Sequence, residues 1–354
     1  MALQANRPLP DSYRLGDLTV EKVLSSGGFS IVYLMRDDNW GPHVVKEFLP
    51  AGISQRTSGD QVEVLTGRSG LFARGLRSFM DEAAALAKVD HPNVVRVEDF
   101  FRANGTAYMV MRHVRGRSLQ FQIHAQRARL DEAFLRTFFL RLLNGLREVH
   151  LRRLLHLDIK PANVLVGVDG QPLLLDFGAV RSALDQPEPQ AKTVLTEGFA
   201  APEQHAGDAA LGPWTDIYAV GATIYSCMAG HPPPSARERV KQDRLAPASV
   251  RFASKFSPVL LSTVDWCLEL DPLARPQSVY ALQRALQDGT GVPARPLAHL
   301  QRRRWSLRDW FCQVRTLVSS GVHSVNARVA RTPQPPPPPV SDHGTHAIKP
   351  TRRQ

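Results

Sequence analysis

From residue 13 to residue 48 apolar and polar positions alternate, in YRLGDLTVEKVL, FSIVYLMRD and HVVKEF, with breaks at Ser-Ser-Gly-Gly and at Asn39–Pro42. A period of two is the pattern of half-buried strands, so this stretch predicts three short antiparallel strands. Residues 75–89 change to helical spacing, with Phe79, Ala83, Leu86 and Val89 on one face, and the helix ends before Asp90-His91-Pro92. Two further strand-like runs follow, VVRVEDFFRA and TAYMVMRHV, joined by a turn at Asn104-Gly105. After Gly116 the chain turns to long helical stretches at 131–152 and 214–230, with helices again near 257–270 and 277–287. The order predicts an α+β protein of two lobes, a small β-rich N-lobe followed by a larger helical C-lobe.

Composition narrows the picture. With 354 residues and 43% hydrophobic positions, the chain can bury one large core or two modest ones. Cys227, Cys267 and Cys312 lie far apart, with no CxxC or CxxH spacing, which excludes a zinc knuckle or a disulfide framework and suits a reducing compartment. The opening residues MALQANRPLPDSYRLGD contain no apolar h-region, and no run reaches the roughly 18 apolar residues that span a bilayer. A cytoplasmic location is expected. The net charge of +11 is unevenly placed: residues 290–354 hold 11 basic residues against Asp309 and Asp342, a net +9. Neither a basic stripe nor interleaved aromatics mark the main domain, so no nucleic-acid partner is expected.

Several motifs have ordinary readings when taken singly. Leu24-Ser-Ser-Gly27-Gly28-Phe29-Ser30 is a glycine-bearing hairpin, and Lys46 ends an apolar strand. Glu82 sits on a helix, His156-Leu-Asp158-Ile-Lys160-Pro-Ala-Asn163 makes a polar loop, Asp176-Phe-Gly178 a turn and Ala201-Pro202-Glu203 a helix start. Their order and spacing together are far more specific. Over residues 13–287 the chain resembles the Ser/Thr protein kinase family, and in fine pattern the bacterial kinases of that family, a source its Ala- and Arg-rich composition also fits. The expected domain divides into an N-lobe at 13–111, a hinge at 112–116 and a C-lobe at 117–287, preceded by an extension at 1–12.

The resemblance implies ATP and Mg²⁺ as cofactors, proteins carrying Ser or Thr as substrates, and self-phosphorylation. Phosphoryl transfer requires positioning and charge neutralisation more than covalent chemistry from the protein. By resemblance Lys46 contacts the α- and β-phosphates and pairs with Glu82, Asp158 orients the attacking hydroxyl and accepts its proton, and Lys160 neutralises the γ-phosphate. Asp176 and Asn163 are the implied metal ligands. Ser25, Gly27 and Gly28 form the loop over the phosphates, where glycine lets backbone N–H groups approach without a side-chain clash. Val32, Val44 and Leu165 enclose adenine, whose edge meets the backbone near Arg112–Val114, with Met111 behind it. Asp216 resembles the aspartate that braces the catalytic loop, and Arg275 the partner of Glu203. Two other readings are a pseudokinase scaffold that binds nucleotide and acts through its tail, and a small-molecule kinase of the same fold. The intact charged set disfavours the first, and the complete Ala-Pro-Glu segment the second.

Three departures from the family bear on mechanism. Ser25 and Ser30 stand where relatives have the first and third loop glycines. Leu157 replaces the arginine that commonly pairs with activation-loop phosphate, so Ser182, Thr193 and Thr196 lack that switch, and Thr196 reads as structural. Lys46 and Glu82 lie 36 positions apart, and residues 51–75 form an insertion that either regulates the helix swing or simply elaborates the surface. In the Pro/Arg-rich tail at 288–354, Ser306-Leu-Arg-Asp309 has the form of a capping box before an amphipathic stretch at 306–318 with Trp310 and Phe311 on its apolar face. Such a helix suits a protein partner, its own kinase domain, or a peripheral contact at the inner membrane face.

Overall fold

The computed structural model describes residues 6–56, 59–176, 181–182 (backbone only), 195–206 and 209–292. Phe177, Gly178, Thr193, the tail at 306–318 and the side chain of Ser182 lie outside the described residues.

Four strands, not three, occupy the first alternating region: β1 (Arg14–Leu15), β2 (Leu18–Ser26), β3 (Ser30–Arg36) and β4 (Pro42–Phe48). The additional strand, β1, is a two-residue stub, too short for a period to register. After it come the paired two-residue strands β5 (Ser54–Gln55) and β6 (Glu63–Val64), the helix α1 (Ser69–Leu86), and then β7 (Val97–Ala103) and β8 (Thr106–Arg112). The sheet order is β1-β2-β3-β4-β8-β7, antiparallel throughout. Asn104 and Gly105 both take positive φ (51° and 70°), the conformation a tight hairpin between β7 and β8 demands.

Two boundaries differ from expectation for identifiable reasons. Helix α1 begins at Ser69 rather than 75, because Phe72 lies on the same stripe as Phe79 and buries against the same sheet, so part of the supposed insertion is helix. Strand β7 begins at Val97 rather than 94, because the residues before it pair elsewhere. The Val95 amide donates to Leu174 O at 2.9 Å, and the Leu174 amide donates to Asn93 O at 2.9 Å.

The remainder is largely helical. After β9 (Gly116–Ser118) come α2 (Leu119–Ala125) and α3 (Glu132–Leu151), capped by Ser118 and Asp131. Short strands follow: β10 (Leu154–Leu155), β11 (Val164–Gly167), β12 (Pro172–Leu174) and β13 (Arg181–Ser182). Strands β12, β11 and β9 form a small sheet, and β10 pairs with β13. Then come α4 (Pro213–Ala229), α5 (Ala236–Lys241), α6 (Ala248–Arg251), α7 (Pro258–Cys267) and α8 (Val279–Asp288). Helix α4 is buried at every position from Thr215 to Ala229, which makes it the axis of this lobe. Glycines at 230 and 289, with φ of 84° and 75°, close α4 and α8 in the left-handed conformation that side chains resist. The lobes are those the patterning predicts: a curled sheet with one helix, then seven helices among the described residues.

Candidate active site

Strand register gathers the first group of residues. Val32 is opposite Lys46, and Val44 is opposite Met111, so these four share one face of the sheet. At the turn between β2 and β3 the Gly27 amide donates to Ser30 O at 2.9 Å. Neither Gly27 nor Gly28 takes positive φ, and a Cβ at Gly28 would meet nothing within 4 Å. What the pair leaves is open room beside the hairpin rather than an unusual backbone. Ser25 and Ser26 still pair with Val32 and Ile31 as strand residues. Val114 is exposed in the link after β8, and Leu165 lies in β11 between Ser118 and Leu173.

Lys46 is buried and meets two carboxylates unequally. Its Nζ lies 2.6 Å from Asp176 Oδ1 and 3.9 Å from Glu82 Oε1, which has no hydrogen-bond partner. Burial works against the Lys46 charge, but Glu82 and Asp176 outweigh it and raise the pKa. Glu82 goes the other way: burial lifts its pKa to about 8, and the attraction of Lys46 only moderates the rise.

The catalytic-loop group is tighter. Asp158 Oδ2 lies 2.7 Å from Lys160 Nζ and accepts from Asn163 Nδ2 at 2.9 Å, while Oδ1 accepts from the Thr196 hydroxyl at 2.9 Å. Lys160 Nζ also donates to Thr196 Oγ1 at 2.8 Å. One hydroxyl therefore sits between a carboxylate and an ammonium.

The loop is held from below by Asp216, fully buried on α4. Its carboxylate accepts from the amides of His156 (2.9 Å) and Leu157 (2.7 Å) and bonds His150 Nε2 at 2.7 Å. Burial alone would raise the Asp216 pKa; the His150 bond and the neighbouring donors reverse this and keep it low. Leu157 takes φ of 62°, which a side chain resists, and is buried. Its carbonyl accepts from Gln204 Nε2 at 2.8 Å, and Gln204 Oε1 in turn accepts from the Ala201 amide at 2.9 Å. His156, with its pKa lowered by burial, bonds Leu175 O through Nε2 at 3.1 Å. Glu203 and Arg275 form a buried bidentate pair at 2.7 and 3.0 Å, as the sequence led us to expect.

The roles of His156 as a buried brace and of Gln204 as a tie were not legible beforehand. Gln204 follows Ala-Pro-Glu as an ordinary polar residue, and only the fold reveals its partner. The remaining oxygen donors suit a hard cation. Asn163 commits its amide nitrogen to Asp158, which turns Oδ1 the other way, and Asp176 keeps a half-exposed carboxylate. One carboxylate and one amide make a sparse set, of the kind Mg²⁺ accepts when phosphates complete its shell. Among the described residues no group of three or more His, Cys, Asp or Glu forms a self-sufficient metal site.

A lysine on a strand, an amide just before β11 and an acid just after β12, and a braced aspartate loop between two lobes define a class. The protein kinase domain model matches residues 18–287, and the chain belongs to that family. Serine/threonine-protein kinase D of Synechocystis sp. is 26% identical over 309 residues, 84% of this chain and 57% of its own length. Serine/threonine-protein kinase pkn2 of Myxococcus xanthus is 32% identical over 299 residues, 78% of this chain and 33% of its own. The solved apo form of PpkA-294 is 34% identical, with a TM-score of 0.71, covering 79% of this chain and 99% of that one. The chain spans about half the length of the curated relatives it matches.

Proposed function

We propose that this chain transfers the γ-phosphoryl group of ATP to serine or threonine hydroxyls of proteins, itself included. The observation that carries this is the Thr196 hydroxyl, which donates to Asp158 Oδ1 and accepts from Lys160 Nζ. A substrate hydroxyl entering there would meet the same carboxylate and ammonium. Asp158 orients it and takes its proton as the new O–P bond forms and the bond to the β–γ bridging oxygen breaks, leaving ADP. Lys160 neutralises the γ-phosphate, and Lys46 binds the α- and β-phosphates, with Glu82 as its partner. Asp176 and Asn163 would hold Mg²⁺, which when bound neutralises charge on the phosphates. Ser25, Gly27 and Gly28 cover the phosphates, and Val32, Val44, Met111, Val114 and Leu165 enclose adenine.

The complete Ala201-Pro202-Glu203 segment, held by the buried Glu203–Arg275 pair and followed by α4, supports a protein rather than a small-molecule acceptor. The kinase domain is taken as 13–287 with its hinge at 112–116, and the basic tail as a separate contact for a partner or an anionic surface. No helix among the described residues is long and apolar enough to cross a membrane; the location is taken as cytoplasmic. Purified protein with labelled ATP and Mg²⁺ should label itself and proteins of a lysate, and Asp158→Ala should not. Binding of ATP without any transfer would replace this reading with the pseudokinase scaffold.

A further inference from the structure

Between β4 and α1 the chain makes an excursion, and one of its side chains reaches back under the sheet. The Arg56 and Glu47 side chains are both 0% exposed. They form a two-pronged pair: Nη1 donates to Glu47 Oε2 at 3.1 Å, and Nη2 donates to Oε1. Two tyrosines complete the carboxylate shell, Tyr33 donating to Oε2 at 2.7 Å and Tyr108 to Oε1 at 2.6 Å. The rest of the guanidinium is committed to backbone carbonyls, Asp60 O at 3.0 Å and Arg7 O at 3.1 Å. Residues ahead of the sheet join the same cluster. The Leu9 amide donates to the Tyr33 hydroxyl at 3.1 Å, and Leu9 itself is 1% exposed.

This network lies directly behind the catalytic lysine. Successive residues of a strand point to opposite faces, so Lys46 faces the Asp176 side, Glu47 faces Arg56, and Phe48 returns to the lysine's side. Phe48 packs on Phe72 and Phe79 of α1, with ring centroids at 5.5 and 5.7 Å. Helix and strand approach so closely because residue 75 is glycine: a Cβ there would meet Phe48 Cζ at 2.7 Å. The excursion also holds the glycine turn, since the Ala51 amide donates to Gly28 O at 2.8 Å and the Leu49 amide to Phe29 O at 3.0 Å. Its far end runs through Leu65, whose amide bonds Ile53 O at 3.0 Å, straight into α1. It therefore touches all three elements that must converge on nucleotide. Meanwhile Lys46 and Glu82, 3.9 Å apart with no hydrogen bond at Oε1, restrain each other weakly.

We propose that Arg56 is a positioning residue for phosphoryl transfer: by holding Glu47 from the far face of the sheet, it fixes the strand end carrying Lys46 relative to the glycine turn and to α1. This rests on the kinase reading of the site. A pair that served the fold alone would be replaceable by apolar side chains of similar volume without loss, whereas removing only one partner strands a buried charge. Lysine cannot reproduce the two-pronged contact.

The experiment compares the full chain with Arg56→Lys, Arg56→Met and the double variant Arg56→Met/Glu47→Leu. Thermal midpoint, Mg²⁺-ATP affinity by calorimetry, and kcat and KM are measured well below each midpoint. Arg56→Met should lose stability and bind ATP about tenfold more weakly, with KM for the protein acceptor unchanged. Arg56→Lys should fall between it and the wild type. The double variant should recover most of the midpoint lost in Arg56→Met, short of the share owed to the Tyr33 and Tyr108 hydroxyls that lose Glu47, while keeping the ATP defect, and it carries the test if Arg56→Met does not fold. Wild-type ATP affinity in a stable double variant, or in a folded Arg56→Met, overturns the inference. A wild-type protein that binds ATP but transfers nothing overturns the kinase reading instead, and the affinities still decide the role of Arg56.

Discussion

Replacing Glu82 by glutamine should make the protein more stable and a worse catalyst, for one physical reason. The carboxylate is buried 3.9 Å from Lys46 Nζ, its Oε1 has no hydrogen-bond partner, and burial lifts its pKa from an ordinary 4.5 to about 8. A raised pKa means that the folded state keeps a proton which the unfolded chain releases. The stabilisation is therefore full below pH 4.5 and is lost as pH climbs from 4.5 to about 8. At about 1.4 kcal/mol per pH unit, that loss has a ceiling of about 5 kcal/mol. Glutamine fills the same space and does not ionise. Glu82→Gln should match the wild type near pH 5 and exceed it by a few kcal/mol at pH 8, or roughly 5–10 °C in melting temperature. Catalysis should show the converse. In the wild type KM for ATP should fall as pH rises through about 8, because the ionised carboxylate then anchors Lys46; in the variant that dependence should be absent and kcat/KM lower by about tenfold to a hundredfold. Melts and steady-state kinetics on both proteins from pH 5 to 9 make the comparison, and taking the difference removes the titrating groups that do not interact with Glu82. A variant less stable than the wild type at pH 8, or one that keeps the wild-type pH dependence of KM, would refute the reasoning.

Three further outcomes are expected. Asp158→Ala should abolish transfer yet leave Mg²⁺-ATP affinity nearly intact, whereas Asp176→Ala should lose both; calorimetry beside a labelling assay separates them, and transfer by pure Asp158→Ala would falsify its assigned role. Arg275→Met should cost about 3–5 kcal/mol, because it strands the buried Glu203 carboxylate, and a denaturant titration showing less than about 1 kcal/mol would contradict that. Phosphatase-treated enzyme and Thr193→Ala should keep most of their rate toward an outside acceptor, since Leu157 cannot hold a phosphate; a fall of about a hundredfold would count against this.

The two lobes were legible because period-two strands and long helical runs follow one another with few ambiguous stretches. Order and spacing singled out Lys46, Asp158, Asn163 and Asp176, and the fold brings Lys46 to Asp176 and Asn163 to Asp158. What escaped is what depends on long-range partners. Gly70 and Gly75 disguised the first turns of α1 as loop, although Phe72 continues its apolar stripe, and the glycine at 75 turns out to admit the Phe48 ring. Val94 and Val95 look like strand, and they do pair, but with β12 rather than the large sheet. Arg56 carries no signal of its own in the sequence, because nothing local announces that Glu47, nine residues earlier, needs a buried cation. The departure at Leu157 was visible, but the tie on its backbone was not: Gln204 Nε2 donates to the Leu157 carbonyl from a segment 47 residues away.

The pairing of residues 93–95 with Leu174 has a mechanical consequence. It splices the chain entering the large sheet to the strand that ends two residues before Asp176, while the second crossing runs through residues 112–116. With one crossing fastened there, the natural relative motion of the lobes is a swing about that line, not a slide. Points near a pivot travel little and points far from it travel most. Asp176, two residues beyond the fastened strand, is therefore expected to travel less in such a swing than the outer edge of the sheet.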